Sequence, residues 1–530
     1  MSLSLITKSL RKMSKFYITA AIPYVNAKPH VGHVLEFLQV DALKKYHQLS
    51  GEEVLSLSGG DENALKNVQA AEKAGRPFKE FIDENTEAFR QLAIKLNAGF
   101  DVWQRGSDQE HHFPSSQKLW ELCVKNGDVY KKNYKGLYCV GCEAFYGSED
   151  LNEKGECPEH VGKKLDEVEE ENYFFALSKY QDKIIQIIEE GALKIVPEFR
   201  KNEVLSFLKS GLSDISISRS NERAKNWGVP VPGDSSQKIY VWMDALQIYQ
   251  TGVGFGWDEE TYKKWWPADI HVIGKGISRF HAIYWPAFLL SAGLPLPKSI
   301  LIHGYLTVDG KKISKSDSST VIDPFPIIEK YGADVVRYYL LAKVSPFDDG
   351  DFSESRLIEV YNADLASGLG NLVARVLTMV QNYCDGKTPK VSQDSDSHPL
   401  RIDKNIYNWK KAWADLDKSM ADFRFNDALA AIWRFISEMD KYIDQQKPWQ
   451  MAKEGKQEEL NWVLYGLLDS LHQIAWQIYP FMPATALKIA QSLGIEKLLV
   501  KNPLNKDSWT NIKPGTKIEK LDQLFPRIEN

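Results

Sequence analysis

Two histidines three residues apart offer the first chemistry in this sequence. Pro29-His30-Val31-Gly32-His33 stands where a short loop meets a long amphipathic run. On a helix that spacing puts both imidazoles on one face of the first turn, and Gly32 lets a nucleotide come close to the backbone. A helix N-terminus adds unpaired N–H groups and the positive end of its dipole, which suit triphosphate oxygens. Imidazoles placed there can donate to phosphates as charge shifts toward the α-phosphate. By itself the HxGH pattern also fits ordinary surface histidines. Roughly 280 residues on, Gly310-Lys311-Lys312-Ile313-Ser314-Lys315-Ser316 gathers cations and hydroxyls on a loop that can close over pyrophosphate, with Lys315 neutralising the leaving group. That stretch alone also fits a solvated basic turn; the combination is what is distinctive.

A second constellation lies between them. Cys139-x-x-Cys142 and Cys157-Pro-Glu-His160 form two knuckles with zinc-ligand spacing, four ligands that would fill a tetrahedral site and leave no open catalytic position. Five cysteines in 530 residues argue against a disulfide scaffold and for a reducing compartment, so a cytoplasmic location is expected. Cys123 and Cys384 read as core thiols.

These groups need a frame. Phe16 to Ile22 reads as a strand, Val31 to Leu49 as a helix ended by Gly51, Val54 to Leu57 as a second strand and Asn63 to Ala74 as the next helix. Strand, tight loop and helix are the first unit of a nucleotide-binding parallel sheet. Residues 115–236 break the rhythm with the cysteines, the acidic run Asp166 to Glu171 and several turns, and read as an inserted α+β connective domain. Parallel strands are expected to return at Lys238 to Met243, Asp269 to Gly274 and Ile300 to His303. Beyond about Phe352 helical periods dominate: Leu365, Leu369, Leu372, Val373, Val376, Leu377 and Val380 follow a 3.6-residue repeat. The fold class is therefore α/β: a split Rossmann-type parallel-sheet catalytic domain, a zinc-bearing insertion and a C-terminal α-helical bundle. The expected bounds are 1–114 and 237–308 for the two catalytic halves, 115–236 for the insertion, 309–355 for the lysine-rich loop and the segment after it, and 356–530 for the bundle.

Composition is that of a globular chain, 43% hydrophobic and 26% charged, with no apolar run of membrane length. A net charge of −5 gives no global sign of nucleic-acid binding, so any such surface has to be a local patch. Residues 1–15 carry Lys8, Arg11, Lys12 and Lys15 without an acid, which fits a frayed basic terminus, a targeting segment, or a start at Met13.

With both signatures present, as PHVGH and KISKS, the sequence resembles the class I aminoacyl-tRNA synthetases, and within them methionyl-tRNA synthetases over nearly the whole chain. The stretches ITAAIPYVNAKPHVGH, YCVGCEAF with CPEH, EENYFFALSKY, YVWMDAL, FHAIYWPAFL and KISKS carry the resemblance. It implies activation of methionine with ATP and Mg²⁺, followed by transfer to tRNA(Met), initiator tRNA included. His30, Gly32, His33, Gly274, Lys312, Ser314, Lys315 and Ser316 would serve ATP, with His30, His33 and Lys315 catalytic. Methionine would lie among Ala21, Ile22, Tyr24, Asp61, Trp242, Ala245, Tyr249, Phe280, His281 and Trp285; aromatic faces suit a thioether, and Asp61 can pair with the ammonium. Asn371, Arg375 and Trp449 would read the anticodon, whose splayed bases stack on aromatics and accept polar contacts. Asn371 and Arg375 lie roughly 40° apart around a helix, opposite the apolar stripe.

Three departures from the family pattern stand out. Asp61-Glu62-Asn63-Ala64 replaces Asp-Glu-His-Gly; Gly274-Lys275-Gly276 replaces Gly-Lys-Asp and so removes an expected ribose ligand; Asp317-Ser318 follows KISKS in place of Gly-Asn. Alternatives are a class I synthetase of aliphatic specificity, for which the insertion leaves no room for a large editing domain, and a non-catalytic tRNA-binding relative. The chain ends at Phe525-Pro526-Arg527, soon after the helical region, without length for the appended domain that makes some relatives dimers, so a monomer is expected.

Overall fold

The computed structural model describes residues 14–139, 141, 144–146, 151–157, 162, 165–312, 321–391, 408–495 and 512–529. At its centre is a parallel sheet of six strands: β1 (Lys15–Ala20), β2 (Glu53–Gly60), β3 (Val102–Arg105), β4 (Lys194–Val196), β5 (Ile270–Gly274) and β6 (Ser299–His303), in the order β3-β2-β1-β5-β6-β4. The order builds outward from β1 to β3, then restarts on the other side of β1 with β5. The switch point therefore lies between β1 and β5, paired with Ile18 opposite Ile270 and Ala20 opposite Val272. Open α/β sheets hold ligands in the crevice at the carboxyl ends of the strands beside such a point.

Helix α1 (Val31–Leu49) follows β1 and is buried almost throughout, from Val34 to Lys44, because the helical end of the chain covers the face that a surface helix would leave wet. After β2 comes α2 (Leu65–Lys73), and α3 (Val241–Thr251) is buried on every side. Helix α4 (Ala333–Lys343) leads to the helical end, built around α5 (Asn371–Tyr383), α6 (Phe425–Gln446) and α7 (Gln457–Ile478). The stripe from Leu365 to Val380 is buried as its period requires, each large apolar side chain contributing about 1.5–3 kcal/mol of burial. Among the described residues no helix is long and apolar enough to cross a membrane.

Two expectations need correction. Lys238 to Met243 is not a parallel strand: Asp234–Ile239 belongs to a separate three-stranded antiparallel sheet, and α3 begins at Val241. A helix buried all round shows a continuous apolar run, which reads as a buried strand. In addition, the segment 115–236 returns to the central sheet, where β4 pairs with β6, Ile195 opposite Ile300. The rest of that segment contains a long antiparallel hairpin, Val129–Cys139 with Asp166–Phe175. Within its acidic run Glu167, Glu169 and Glu171 face solvent, Glu169 opposite Lys135 and Glu171 diagonal to Lys131, each pair at 3.8 Å.

One buried group ties the parts together. The Arg337 guanidinium on α4, fully inaccessible, meets the Asp41 carboxylate of α1 at 2.7 Å and donates to the carbonyls of Leu96, Pro480 and Phe481 at 3.1, 2.7 and 2.7 Å. A buried cation is tolerable only when its donors are met, and these partners come from the catalytic body and from the helical end.

Candidate active site

The loop after β1 delivers His30 and His33 to the switch point, and there the two imidazoles cap α1. The Gly32 amide donates to His30 Nδ1 and the His30 amide to His33 Nδ1, both at 3.1 Å. Each Nδ1 is thus an acceptor, so in the neutral ring the proton sits on Nε2, where it can donate. The rings lie 4.0 Å apart, and His33 rests edge-on against Phe89. The expectation of unpaired amides at this helix end fails. Val31 N–H donates to Ile322 O at 3.0 Å and His33 N–H to His30 O at 2.9 Å, while Gly32 N–H is taken by the imidazole. The donors left at this helix end are the Nε2–H groups of the rings.

Across the crevice β5 ends at Gly274, where an added Cβ would meet the His303 ring at 3.5 Å. His303 Nε2 contacts Glu36 of α1 at 3.0 Å, and the other Glu36 oxygen accepts the Ala21 amide at 2.8 Å. This buried pair, which sequence reasoning missed, locks α1 to β1 and β6. The available signal was an acid inside the apolar run Val34-Leu35-Glu36-Phe37-Leu38. Gly276 lies in the 3₁₀ turn Lys275–Ile277. A carboxylate does stand beside that turn: Asp349 pairs with Lys275 at 2.7 Å and accepts the Tyr305 amide at 2.8 Å. Burial opposes its ionisation, but these partners prevail and hold its carboxyl below the usual range.

The loops after β1 and β5 and the start of α3 also contribute an aromatic cluster. Tyr24 is bridged to Asp61 and meets Trp242 edge-on at 6.1 Å; Trp242 stacks flat on Phe280 at 3.7 Å. Phe280 and His281 come from a π-helical turn, Phe280–Tyr284, a geometry common at functional sites. His281 Nδ1 lies 3.0 Å from the Ile277 carbonyl, so it carries the proton, and Nε2 accepts the Tyr249 hydroxyl at 2.8 Å. Burial pushes the His281 imidazolium down to about 4 and the Tyr249 phenol well above its usual value, so both are neutral. Ala245 is buried on α3, and Ala21 and Ile22 are half-buried on the loop after β1. Trp285 is fully buried and edge-on to Trp266.

The departure at Asn63 has a structural counterpart. Its amide donates to Gly106 O and to the Asp244 carboxylate, both at 2.7 Å, and Asp244 also accepts Ser116 Oγ at 2.8 Å beside His112 at 2.9 Å. Glu62, fully buried, is met by Arg105 at 2.8 Å and Thr86 at 2.6 Å. The Asp61 loop is therefore clamped from both sides.

Ser314, Lys315 and Ser316 lie outside the described residues, and Lys312 is described only as backbone in the strand Lys311–Lys312. Cys142 and His160 also lie outside them. Cys139 and Cys157 are buried around Leu165, and neither is in a disulfide. Among the described residues no group of three metal-capable side chains occurs. In the helical end Asn371 is exposed at the start of α5, Arg375 binds Asp440 at 2.9 Å and Asp444 at 2.5 Å, and Trp449 is 47% exposed just after the left-handed Lys447.

A doubly wound sheet with imidazoles capping the helix at its switch point, joined to a helical end, defines a class I tRNA synthetase. The family profile "tRNA synthetases class I (M)" matches residues 16–377, and "Anticodon-binding domain of tRNA ligase" matches 406–528. Methionine–tRNA ligase of Thermotoga maritima is 42% identical over 97% of this chain and 80% of its own length; that of Brucella suis is 40% identical over 97% and 98%. The crystal structure of Mycobacterium tuberculosis methionyl-tRNA synthetase bound by methionyl-adenylate superposes with TM-score 0.90 at 35% identity, over 97% of this chain and 100% of that one. Its free-state counterpart gives 0.83 at 34% identity, over 98% and 99%. The chain belongs to the methionine–tRNA ligase family.

Proposed function

We propose that this chain activates methionine with ATP and transfers it to the 3′ end of tRNA(Met), initiator tRNA included. The observation that carries the reading is that the loops after β1, β2 and β5, at the carboxyl ends of the sheet, carry the two imidazoles that cap α1, the buried Asp61, and Tyr24 and Phe280 packed on Trp242. Asp61 takes the methionine ammonium. Trp242, Phe280 and Tyr24 hold the thioether, while Ala21, Ile22, Ala245, Tyr249, His281 and Trp285 shape the wall. The neutrality of His281 and Tyr249 matters here, because a charge beside the thioether would favour polar side chains over methionine.

ATP lies across the ends of β1 and β5, against Gly32 and Gly274. The methionine carboxylate attacks the α-phosphate in line and pyrophosphate leaves. His30 and His33 donate Nε2–H to the phosphate oxygens as charge builds, and Lys312, Ser314, Lys315 and Ser316 close on the leaving group. Mg²⁺ accompanies the triphosphate and neutralises part of its charge. The terminal ribose hydroxyl of the tRNA then attacks the activated carbonyl and releases AMP, with no covalent enzyme intermediate.

Cys139, Cys142, Cys157 and His160 hold a structural Zn²⁺. The burial of Cys139 and Cys157 around Leu165 fits that donor set, and the ion would crosslink this segment. Asn371, Arg375 and Trp449 read the anticodon, an assignment supported by the exposure of Trp449. The domain bounds given above, with Lys194–Val196 returned to the catalytic sheet, a monomeric state and a cytoplasmic location complete the reading. Charging assays with ATP, bulk tRNA and each amino acid in turn test it: methionine alone should become acid-precipitable. Charging of leucine or valine, or binding of tRNA without charging of any amino acid, would refute it.

A further inference from the structure

A small cavity beside the proposed methionine pocket is lined by Asn63 of the Asp61 loop, Leu65 at the start of α2 and side chains of the antiparallel segment, among them Arg219, Arg223 and Lys238. None of its lining residues is acidic, in a chain whose net charge is −5. Arg219 and Arg223 lie against aromatic rings, and Arg219 also donates to main-chain oxygens. Arg219 lies 4.6 Å from the Tyr240 ring and donates to Ser218 O at 2.6 Å; Arg223 lies 4.2 Å from the Tyr138 ring. The carboxylate nearest Arg223 is Glu170 at 4.0 Å, and Glu170 is itself occupied by Ser220 at 3.1 Å and Asn172 at 2.9 Å. Lys238 is half-buried, and burial alone lowers its ammonium, which thereby gains from meeting an anion. Cation–π contacts orient a guanidinium without removing its charge. The cavity wall continues through Tyr240 and Val241 into the N-terminal end of α3, whose dipole adds a further positive contribution, and the next residue is Trp242 of the pocket.

We propose that this cavity seats a phosphate of the single-stranded 3′ end of the tRNA, with Arg223 and Lys238 as its ligands and Arg219 as a fixed structural cation. The placement suits the second half-reaction: a phosphate held one residue from Trp242 brings the terminal ribose to the activated carboxyl. The inference rests on the methionine-charging reading and goes beyond it by assigning the acceptor-end contact to these residues.

The test separates the two half-reactions in the full chain. R223Q and K238Q should leave methionine-dependent ATP–pyrophosphate exchange within about twofold of the parent, which also shows that they fold. Each should raise KM for tRNA about tenfold and lower the salt slope of log KM by roughly one, the signature of one lost phosphate contact. K238R should restore most of the loss. A KM for tRNA and a salt slope equal to the parent's would overturn the proposal, as would an equal fall in exchange and charging, which would mark these residues as supports of the methionine pocket. A parent enzyme that fails to exchange with methionine would instead refute the underlying function.

Discussion

Replacing Tyr249 by Phe tests the physical reading of the methionine pocket in a single atom. Tyr249 is 1% exposed, and its hydroxyl donates to His281 Nε2 at 2.8 Å while the other ring nitrogen is committed to Ile277 O at 3.0 Å. Deleting the hydroxyl leaves a buried acceptor that no water can reach, a loss of about 1–3 kcal/mol. Against a stability of about 5–15 kcal/mol for a domain, that is readily measured by urea denaturation. The same bond fixes the imidazole that borders Trp242, 6.4 Å away. If about 1.4 kcal/mol of the loss falls on the substrate-bound state, KM for methionine rises about tenfold. KM for ATP should stay put, since the proposed nucleotide site is at the start of α1 and the end of β5. Exchange kinetics at varied methionine read both constants. Stability within about 0.5 kcal/mol of the parent, together with an unchanged KM for methionine, would refute the argument.

Other outcomes follow from buried groups elsewhere. His281 and His472 are both pushed down to about 4 by burial, from about 6.5 when unfolded. The unfolded chain therefore binds more protons between those values, so stability is full above about pH 6.5 and falls as pH drops toward 4, each histidine contributing about 3 kcal/mol by the lower limit; urea midpoints across pH 4–7 that do not fall would contradict this. Arg337→Met should cost about 3–5 kcal/mol, because three buried carbonyls lose their donor and Asp41, still paired with Lys45, loses its second cation; calorimetry showing an undiminished transition would contradict this. Trp449→Ala should leave exchange intact and weaken tRNA charging by about 1–3 kcal/mol, the worth of one base stack, measured as kcat/KM for tRNA; equal effects on exchange would place Trp449 in a structural role.

Much of the architecture is legible in sequence because local signals agree there. The limits of α1 can be read from His30 and Gly51, and the leucine stripe of the helical end from its period. The misreadings share a cause, namely tertiary context overriding a local pattern. Tyr240-Val241-Trp242-Met243 is apolar because α3 is enclosed, not because it is a strand. Lys194–Val196 is too short to show a period, and its place in the sheet is set by β6. The Glu36–His303 contact spans 267 positions, so only an acid out of place hints at it. The α1 amides seemed available because helix ends usually are, yet the two histidines that mark the motif supply their own cap. Of the two sets of donors expected at this helix end, amides and imidazoles, geometry leaves the ring Nε2–H groups.

The central claim is that the capped histidines and the aromatic pocket together activate methionine. Methionine-dependent ATP–pyrophosphate exchange, run beside leucine and valine and repeated with His33→Ala, tests it most directly. The account predicts exchange with methionine alone, and for the variant a kcat lower by about 10²–10³ with KM for methionine little changed, as expected for a donor used in the transition state. Exchange driven equally by leucine or valine, or a variant whose kcat is intact, would contradict it.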